Sequence, residues 1–195
     1  MTESLEYSPV ALFAYARVDH LAATVDSLLA NAECKKTQLY VYADGPRSVG
    51  HPAQTDQVRA YVDGIKGFAA VTRVYRDQNL GLERSIINGV SEVLAQHETV
   101  IVMEDDLVVS SHFLKYMNDG LWLYRDDQRV ASIHGYCYPV EEELPETFFL
   151  RGADCWGGAT WYRAGQHFAS DGRTLLDELR RTGLRRPFVL GGAYH

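Results

Sequence analysis

Apolar and polar positions follow two patterns along the chain, one typical of buried strands and one typical of amphipathic helices. Runs of apolar and β-branched residues predict strands at residues 9–16, 38–43, 71–75, 99–103 and 130–134. Between these strands, apolar residues spaced three or four positions apart predict helices, including residues 54–65 and 82–94. The chain therefore alternates strand and helix over most of its length.

Capping residues predict two further helices. Asp19 is expected to cap a helix after the first strand, and Ser110 or Ser111 is expected to cap one after the fourth. Strands separated by single helices predict the α/β class, with a mostly parallel sheet and helices on both faces. The length of 195 residues fits a single domain over residues 1–195.

The fourth predicted strand runs directly into three carboxylates, Glu104, Asp105 and Asp106. In open α/β sheets, ligands bind at the carboxyl ends of the strands. Because side chains alternate along a strand, Glu104 and Asp106 are expected to share one side and Asp105 to take the other. Such oxygen ligands suit Mg²⁺ or Mn²⁺, which combine one or two carboxylates with waters and substrate phosphates. The segment predicts a metal-diphosphate site, and a solvated strand end or helix cap is the alternative.

Polar residues also follow the first three strands, at Arg17, Asp44 and residues 77–79. Each alone is also typical of an ordinary surface residue, turn or helix entry. Together with the carboxylates they are expected to line one crevice, where a carboxylate accepts from a base imide and cations contact phosphate. Arg84 lies one turn into the third helix, near the positive end of its dipole, where it is positioned to contact phosphate.

Four short motifs occur in order along the chain: Ala14-Tyr15-Ala16-Arg17, Tyr42-Ala43-Asp44, Asn79-Leu80-Gly81-Leu82 and Glu104-Asp105-Asp106. This set resembles glycosyltransferases of the GT-A (Rossmann-like) fold, in particular the N-acetylglucosaminyltransferase I type and its bacterial sugar-transferase relatives. The resemblance covers roughly residues 9–165. The predicted donor-binding residues are Ala14, Tyr15, Arg17, Asp44, Asn79, Gly81, Arg84, Glu104, Asp105 and Trp156.

The resemblance also implies individual roles. It implies that Arg17 and Asp44 hold the nucleotide, that Glu104 contacts ribose or sugar, and that Asp106 coordinates Mn²⁺ or Mg²⁺ as the last acid of an Asp-x-Asp equivalent. An Asp44 that accepts a hydrogen bond from a uracil-like imide favours a UDP donor over GDP.

A Trp- and Gly-rich segment at residues 151–161 is similar to the segment that lines the sugar and acceptor site of the family. Gly158 stands where the bacterial relatives usually carry the middle aromatic residue. Trp156 and Trp161 fit either a sugar-binding loop or the core. Asp154 is the candidate catalytic base, with a loop cap as the alternative. Nothing after Asp171 matches the family's proposed base, so the natural chain is expected to continue past residue 195, where that base would lie.

Charge and composition exclude several classes of protein. A formal net charge of -7 argues against a nucleic-acid partner, and an arginine-rich segment at residues 180–186 fits either lipid headgroup contact or a solvated helix end. The chain has no transmembrane segment by sequence, and its first residues lack the pattern of a secretory signal. Three cysteines without C-x-x-C spacing favour reduced thiols and a cytoplasmic location.

The sequence therefore predicts a metal-dependent, inverting glycosyltransferase that moves a sugar from a nucleotide diphosphate to the hydroxyl of a saccharide or other acceptor. A non-catalytic nucleotide-sugar-binding or assembly domain is one alternative. A nucleotidyltransferase is another, although it would normally need a Gly-rich basic loop where this chain has Ala16-Arg17-Val18-Asp19. Dinucleotide dehydrogenases, P-loop NTPases and α/β-hydrolases are disfavoured because their glycine motifs are absent.

Overall fold

The computed structural model of the chain describes residues 7–47, 52–141 and 143–188. Its strands are Val10–Ala14 (β1), Gln38–Ala43 (β2), Ala70–Tyr75 (β3), Thr99–Glu104 (β4), Ser132–His134 (β5) and Gly158–Trp161 (β6). Its helices are Val18–Leu29 (α1), Pro52–Gly64 (α2), Leu82–Leu94 (α3), Phe113–Leu123 (α4), Tyr162–Gly165 (α5), Gly172–Thr182 (α6) and Arg185–Phe188 (α7), with a 3-10 helix at Ala32–Lys36.

The six strands form one sheet in the order β3-β2-β1-β4-β6-β5. Strands β1 to β4 are parallel, and β6 runs antiparallel to both of its neighbours, β4 and β5. The carboxyl ends of β1 to β5 and the amino end of β6 therefore lie along the same edge. This arrangement confirms the α/β class and the mostly parallel sheet.

Helices cover both faces of the sheet, as predicted. On one face, alternate residues of the central strands pack against buried side chains of α1, α2 and α4. On the other face, Phe13 of β1 and Tyr42 of β2 pack with Val93 and Leu94 of α3. The continuous apolar runs of β1 and β2 follow from this two-sided burial, since both sets of alternate side chains are enclosed.

Several predicted boundaries are wrong for identifiable reasons. Helix α1 begins at Val18, so Asp19 lies in its first turn and does not cap it. Helix α4 is preceded by His112, and Ser110 instead accepts a backbone hydrogen bond from Phe113. Strand β6 was not predicted, because only four residues pair there and two of them are small.

The carboxyl-terminal part of the chain is helical where the structure describes it. Asp171 caps α6 by accepting from the backbone N–H groups of Arg173 and Thr174. Arg180 and Arg181 pair with acidic residues of the same helix, as expected for a solvated helix end. Helix α7 ends at Phe188, and residues 189–195 lie outside the described residues.

A glycine in α3 allows the helix to lie close to the sheet. A Cβ at Gly89 would lie 2.6 Å from Cε1 of Phe13 and 3.1 Å from Cε2 of Tyr42, two buried rings stacked with centroids 5.1 Å apart. We expect Gly89→Val to lower the free energy of unfolding by about 2 kcal/mol, because overpacking displaces these rings. Gly64→Val is the matched control, since nothing lies within 4 Å of that position. Urea unfolding tests this, and equal stability of the two variants would contradict it.

Candidate nucleotide and metal site

The candidate site lies at the sheet edge where the predicted polar residues meet. Arg17 follows β1, Asp44 follows β2, and Asp105 and Asp106 follow β4. Strand β1 lies between β2 and β4, so these residues come from three adjacent strands. The order of the strands in the sheet places β4 beside β1. The sequence pattern does not specify this order.

Arg17 joins the two aspartates that follow β4. Its Nη2 donates to Asp105, and its Nη1 lies 2.9 Å from Oδ2 of Asp106. Partial burial alone would lower the pKa of Arg17, but the hydrogen bonds and charges of the two carboxylates raise it above its ordinary value. The predicted alternation of the acids therefore fails: β4 ends at Glu104, and Asp105 and Asp106 lie in a turn that presents both to one guanidinium.

Asp105 and Asp106 differ in burial. The side chain of Asp105 is 4% exposed, and its Oδ2 also accepts from the backbone N–H of Tyr15 at 3.3 Å. The side chain of Asp106 is 39% exposed, and Arg17 itself is 49% exposed. Asp105 therefore anchors the Arg17 side chain, whereas Asp106 faces the solvent side of the pair.

Glu104 completes a set of three carboxylates around one guanidinium. Burial, followed by the negative charges of Asp106 and Asp105, raises the pKa of Glu104, and Arg17 offsets only part of this. A divalent cation would supply the positive charge that this set of carboxylates lacks. Carboxylate oxygens are hard donors, the kind that a hard divalent cation prefers. Among the described residues, no group of three or more His, Cys, Asp or Glu side chains is arranged to hold a metal ion. A cation bound here would therefore need further oxygens from a substrate or from water, and its binding stays a prediction.

Asp44 accepts hydrogen bonds from backbone N–H groups, which the sequence did not predict. The carboxylate is buried and accepts from the backbone N–H groups of Gly45, Leu80 and Gly81 at 2.9 to 3.2 Å. A Cβ at Gly45 would lie 2.6 Å from the backbone carbon of Gln78, so the two loops are in direct contact. Asp44 therefore fixes the β3–α3 loop against the end of β2, and its recognition of a base stays a prediction.

The residues of the β3–α3 loop are held in place by the same contact. Asn79 donates from Nδ2 to the carbonyl of Gly45 at 3.0 Å, so its side chain is part of the loop contact. Gly81 precedes α3 with φ 77°, a conformation that favours glycine. Arg84 lies exposed in the first turn of α3, at the same edge of the sheet.

Ala14 and Tyr15 link the three strand ends. The carbonyl of Ala14 accepts from the N–H of Asp44, and the N–H of Tyr15 donates to Asp105. The sequence analysis missed Arg47, whose N–H donates to the hydroxyl of Tyr15 and whose guanidinium lies 5.5 Å from the centroid of that ring. The strand-end reasoning applied to Arg17 would have identified it, since Arg47 follows β2 by four residues.

A second group of polar side chains lies beyond β6. His134 and Val102 pair with opposite sides of Gly158, so their backbones are about 10 Å apart at ordinary strand spacing. Nδ1 of His134 lies 3.6 Å from Oδ1 of Asp154, and Nε2 lies 2.7 Å from the hydroxyl of Ser132. Asp154 also accepts from the N–H of Trp156. Asp154 thus faces a histidine that the sequence did not suggest.

Three aromatic rings form a cluster beside this pair. The centroid of Tyr136 lies 4.5 Å from that of Trp156 and 5.1 Å from that of Tyr138. All three rings are at least one-third exposed. Trp161, by contrast, is buried and donates from Nε1 to the carbonyl of Leu121. Trp161 therefore belongs to the core, and a role for the exposed Trp156 in sugar binding stays a prediction.

The loop before β6, which carries Asp154 and Trp156, lies beside the residue that follows the three acids. A Cβ at Gly157 would lie 3.8 Å from Cδ1 of Leu107, which directly follows the three acids. The segment after Leu107 is anchored to the end of α1, because Asn31 accepts from the N–H of Leu114 and donates to the carbonyl of Ser110. The sheet edge therefore carries Arg17 and the acids on one side and Asp154 with the rings on the other.

No family model and no curated protein matches the chain. Among solved structures, it is similar to TarS of S. aureus, with a TM-score of 0.43 and 15% identity over 60% of this chain and 20% of TarS. It is also similar to 4-diphosphocytidyl-2C-methyl-D-erythritol synthase from Anaerococcus prevotii DSM 20548, with a TM-score of 0.49 and 12% identity over 89% of this chain and 84% of the other.

A second structure of 4-diphosphocytidyl-2C-methyl-D-erythritol synthase gives a TM-score of 0.46 at 14% identity, over 91% of this chain and 86% of the other. Likenesses at this level assign neither a family nor an activity to the chain. None of the helices in the described ranges has the length and hydrophobicity needed to cross a bilayer.

Proposed function

We propose that the protein is a metal-dependent glycosyltransferase. It transfers a sugar from a UDP-sugar donor to an acceptor hydroxyl, with inversion at the anomeric carbon and release of UDP. The observation that carries the proposal is the meeting of Arg17 with Asp105 and Asp106 at the carboxyl ends of β1 and β4. Cationic and anionic groups lie together there at the edge where α/β sheets bind ligands. A cation-bound diphosphate requires both kinds of group.

In the proposed donor half of the site, Asp106 holds Mn²⁺ or Mg²⁺ together with the diphosphate oxygens. Its solvent-facing position suits this role better than that of the buried Asp105. The bound cation would stabilise the charge that develops on the departing diphosphate. In this proposal Arg17 and Arg84 add positive charge on the phosphate side, and Glu104 accepts from ribose or sugar hydroxyls.

In the proposed acceptor half, Asp154 takes the proton from the attacking hydroxyl. The N–H of Trp156 orients its carboxylate, and the ring of His134 lies 3.6 Å away. The exposed rings of Tyr136, Tyr138 and Trp156 offer flat apolar surfaces, which favours a saccharide among the possible hydroxyl acceptors. In this proposal the base and the metal ligand act on opposite faces of the donor sugar, as inversion requires.

We expect Asp154→Asn to lower the transfer rate by roughly 100-fold, because the amide cannot accept the proton of the attacking hydroxyl. Mass spectrometry of UDP-sugar consumption and product formation, with a panel of saccharide acceptors, measures this. Asp126→Asn is the matched control, since Asp126 is an exposed aspartate beyond α4. An Asp154→Asn rate equal to that of the control would remove Asp154 from the mechanism. Binding of UDP-sugar by the wild type without turnover would favour a binding module.

A further inference from the structure

Arg17 occupies both aspartates of the candidate metal site. Its two terminal nitrogens contact different carboxylates, Nη2 with Asp105 and Nη1 with Asp106. The first contact is buried on the carboxylate side and reinforced by the N–H of Tyr15. The second joins two partly exposed side chains and has no such support in the described contacts. The two contacts therefore differ in how easily each is broken.

The proposed donor complex is incompatible with the outer contact. An Asp106 oxygen that accepts from Arg17 has a positive charge 2.9 Å away, which opposes a divalent cation at the same carboxylate. Arg17 also has to direct a nitrogen toward phosphate if it is to hold the diphosphate. The planar fork of a guanidinium allows one nitrogen to change partner while the other stays in place.

We propose that Arg17 is an internal counter-ion that couples cation binding to nucleotide binding. Without a donor, Nη1 neutralises Asp106 and lowers the affinity of the site for a cation alone. When the diphosphate arrives, Nη1 moves from Asp106 to phosphate, while Nη2 stays on Asp105, and Asp106 becomes available to the cation. The inference rests on the proposed function and adds to it a mechanism that keeps the empty site from retaining metal.

The test compares Arg17→Gln and Arg17→Lys with the wild type. Electron paramagnetic resonance measures Mn²⁺ binding alone and with saturating UDP, and calorimetry measures UDP binding alone. Removing the counter-ion should tighten binding of Mn²⁺ alone by roughly two- to fivefold, the size of a partly exposed ion pair. The same change should weaken binding of UDP alone, so the effect of UDP on Mn²⁺ affinity should shrink.

One further variant serves as a control, and Arg17→Lys guards against misfolding. Arg129→Gln removes a positive charge from an exposed residue that pairs with Asp127 and does not bridge the acids, so it should leave the affinity for Mn²⁺ alone unchanged. Arg17→Lys keeps a charge for the buried Asp105 but has a single nitrogen, so it should show part of the effect in a stably folded protein. Thermal unfolding shows whether the Arg17→Gln protein is folded. If it is not, the affinity of Arg17→Lys for Mn²⁺ alone decides the test.

The outcomes separate the inference from the proposed function. If the wild type couples Mn²⁺ and UDP binding but both Arg17 variants bind Mn²⁺ alone no more tightly, the counter-ion role is wrong and the proposed function stands. If the wild type itself shows no coupling between Mn²⁺ and UDP, the proposed function and the inference both fail. A tightening that Arg129→Gln reproduces would indicate a general charge effect and would also overturn the role of Arg17.

Discussion

Replacing Asp106 by asparagine is expected to lower the transfer rate by roughly 100-fold or more while changing the free energy of unfolding by no more than about 0.5 kcal/mol. The rate falls because an amide lacks the charge that holds a divalent cation against the diphosphate. Stability changes little because Asp106 and its partner Arg17 are both substantially exposed, and such pairs contribute little. Initial rates at saturating Mn²⁺, together with urea unfolding, measure the two quantities.

Asp105→Asn provides the contrasting variant. Asp105 is buried and pairs with the half-exposed Arg17, so we expect its loss to cost about 2 kcal/mol of stability after allowing for solvent screening at Arg17. If Asp106→Asn kept the wild-type rate, or lost as much stability as Asp105→Asn, then Asp106 would not be the exchangeable ligand of the site.

Replacing Asp44 by alanine is expected to lower the free energy of unfolding by about 4 kcal/mol. The change removes the acceptor for three backbone N–H groups, each of which costs roughly 1–3 kcal/mol when buried without a partner. Asp77→Ala, in the adjacent β3–α3 loop, is the matched control, because Asp77 is exposed. Urea unfolding of the two variants measures the difference, and a small loss for Asp44→Ala would show that water replaces the carboxylate.

Asp44→Asn distinguishes the structural role from the predicted role in base recognition. The amide keeps an acceptor oxygen for the loop, so most of the stability should remain. It places an N–H₂ group where the carboxylate had only acceptors. Tight UDP binding by a stable Asp44→Asn protein would contradict base recognition by Asp44 and leave the loop contact as its role.

Local periodicity was sufficient to predict the strands and helices that form the core of the sheet. Strands β1, β2 and β4 have apolar residues on both faces, so burial and local pattern agree. In α3 the agreement is partial, because Ser85 and Gly89 are buried and Leu82 is exposed. Strand β6 is short, and its pairing with β4 joins residues about 60 positions apart, which no local pattern encodes. The placement of Asp154 at the same sheet edge as the acids depends on that pairing.

The candidate site was predicted in part for the same reason. The rule that parallel strands end at one edge was enough to bring Arg17, Asp44 and the acids together. It could not show that Arg17 bridges Asp105 and Asp106, or that Asp44 accepts from the β3–α3 loop, because those contacts depend on turn geometry. His134 was also missed, since its partner Asp154 is distant in sequence.

The central claim is that the carboxyl edge of this sheet binds a nucleotide diphosphate together with a divalent cation. Calorimetric titration of the wild-type protein with UDP, GDP and dTDP, in Mn²⁺ and separately in excess chelator, tests it most directly. The account predicts that UDP binds most tightly and that Mn²⁺ strengthens its binding at least tenfold, an effect that Asp106→Asn abolishes. Equal affinity for UDP in Mn²⁺ and in chelator, or no binding of any of the three nucleotides, would contradict it.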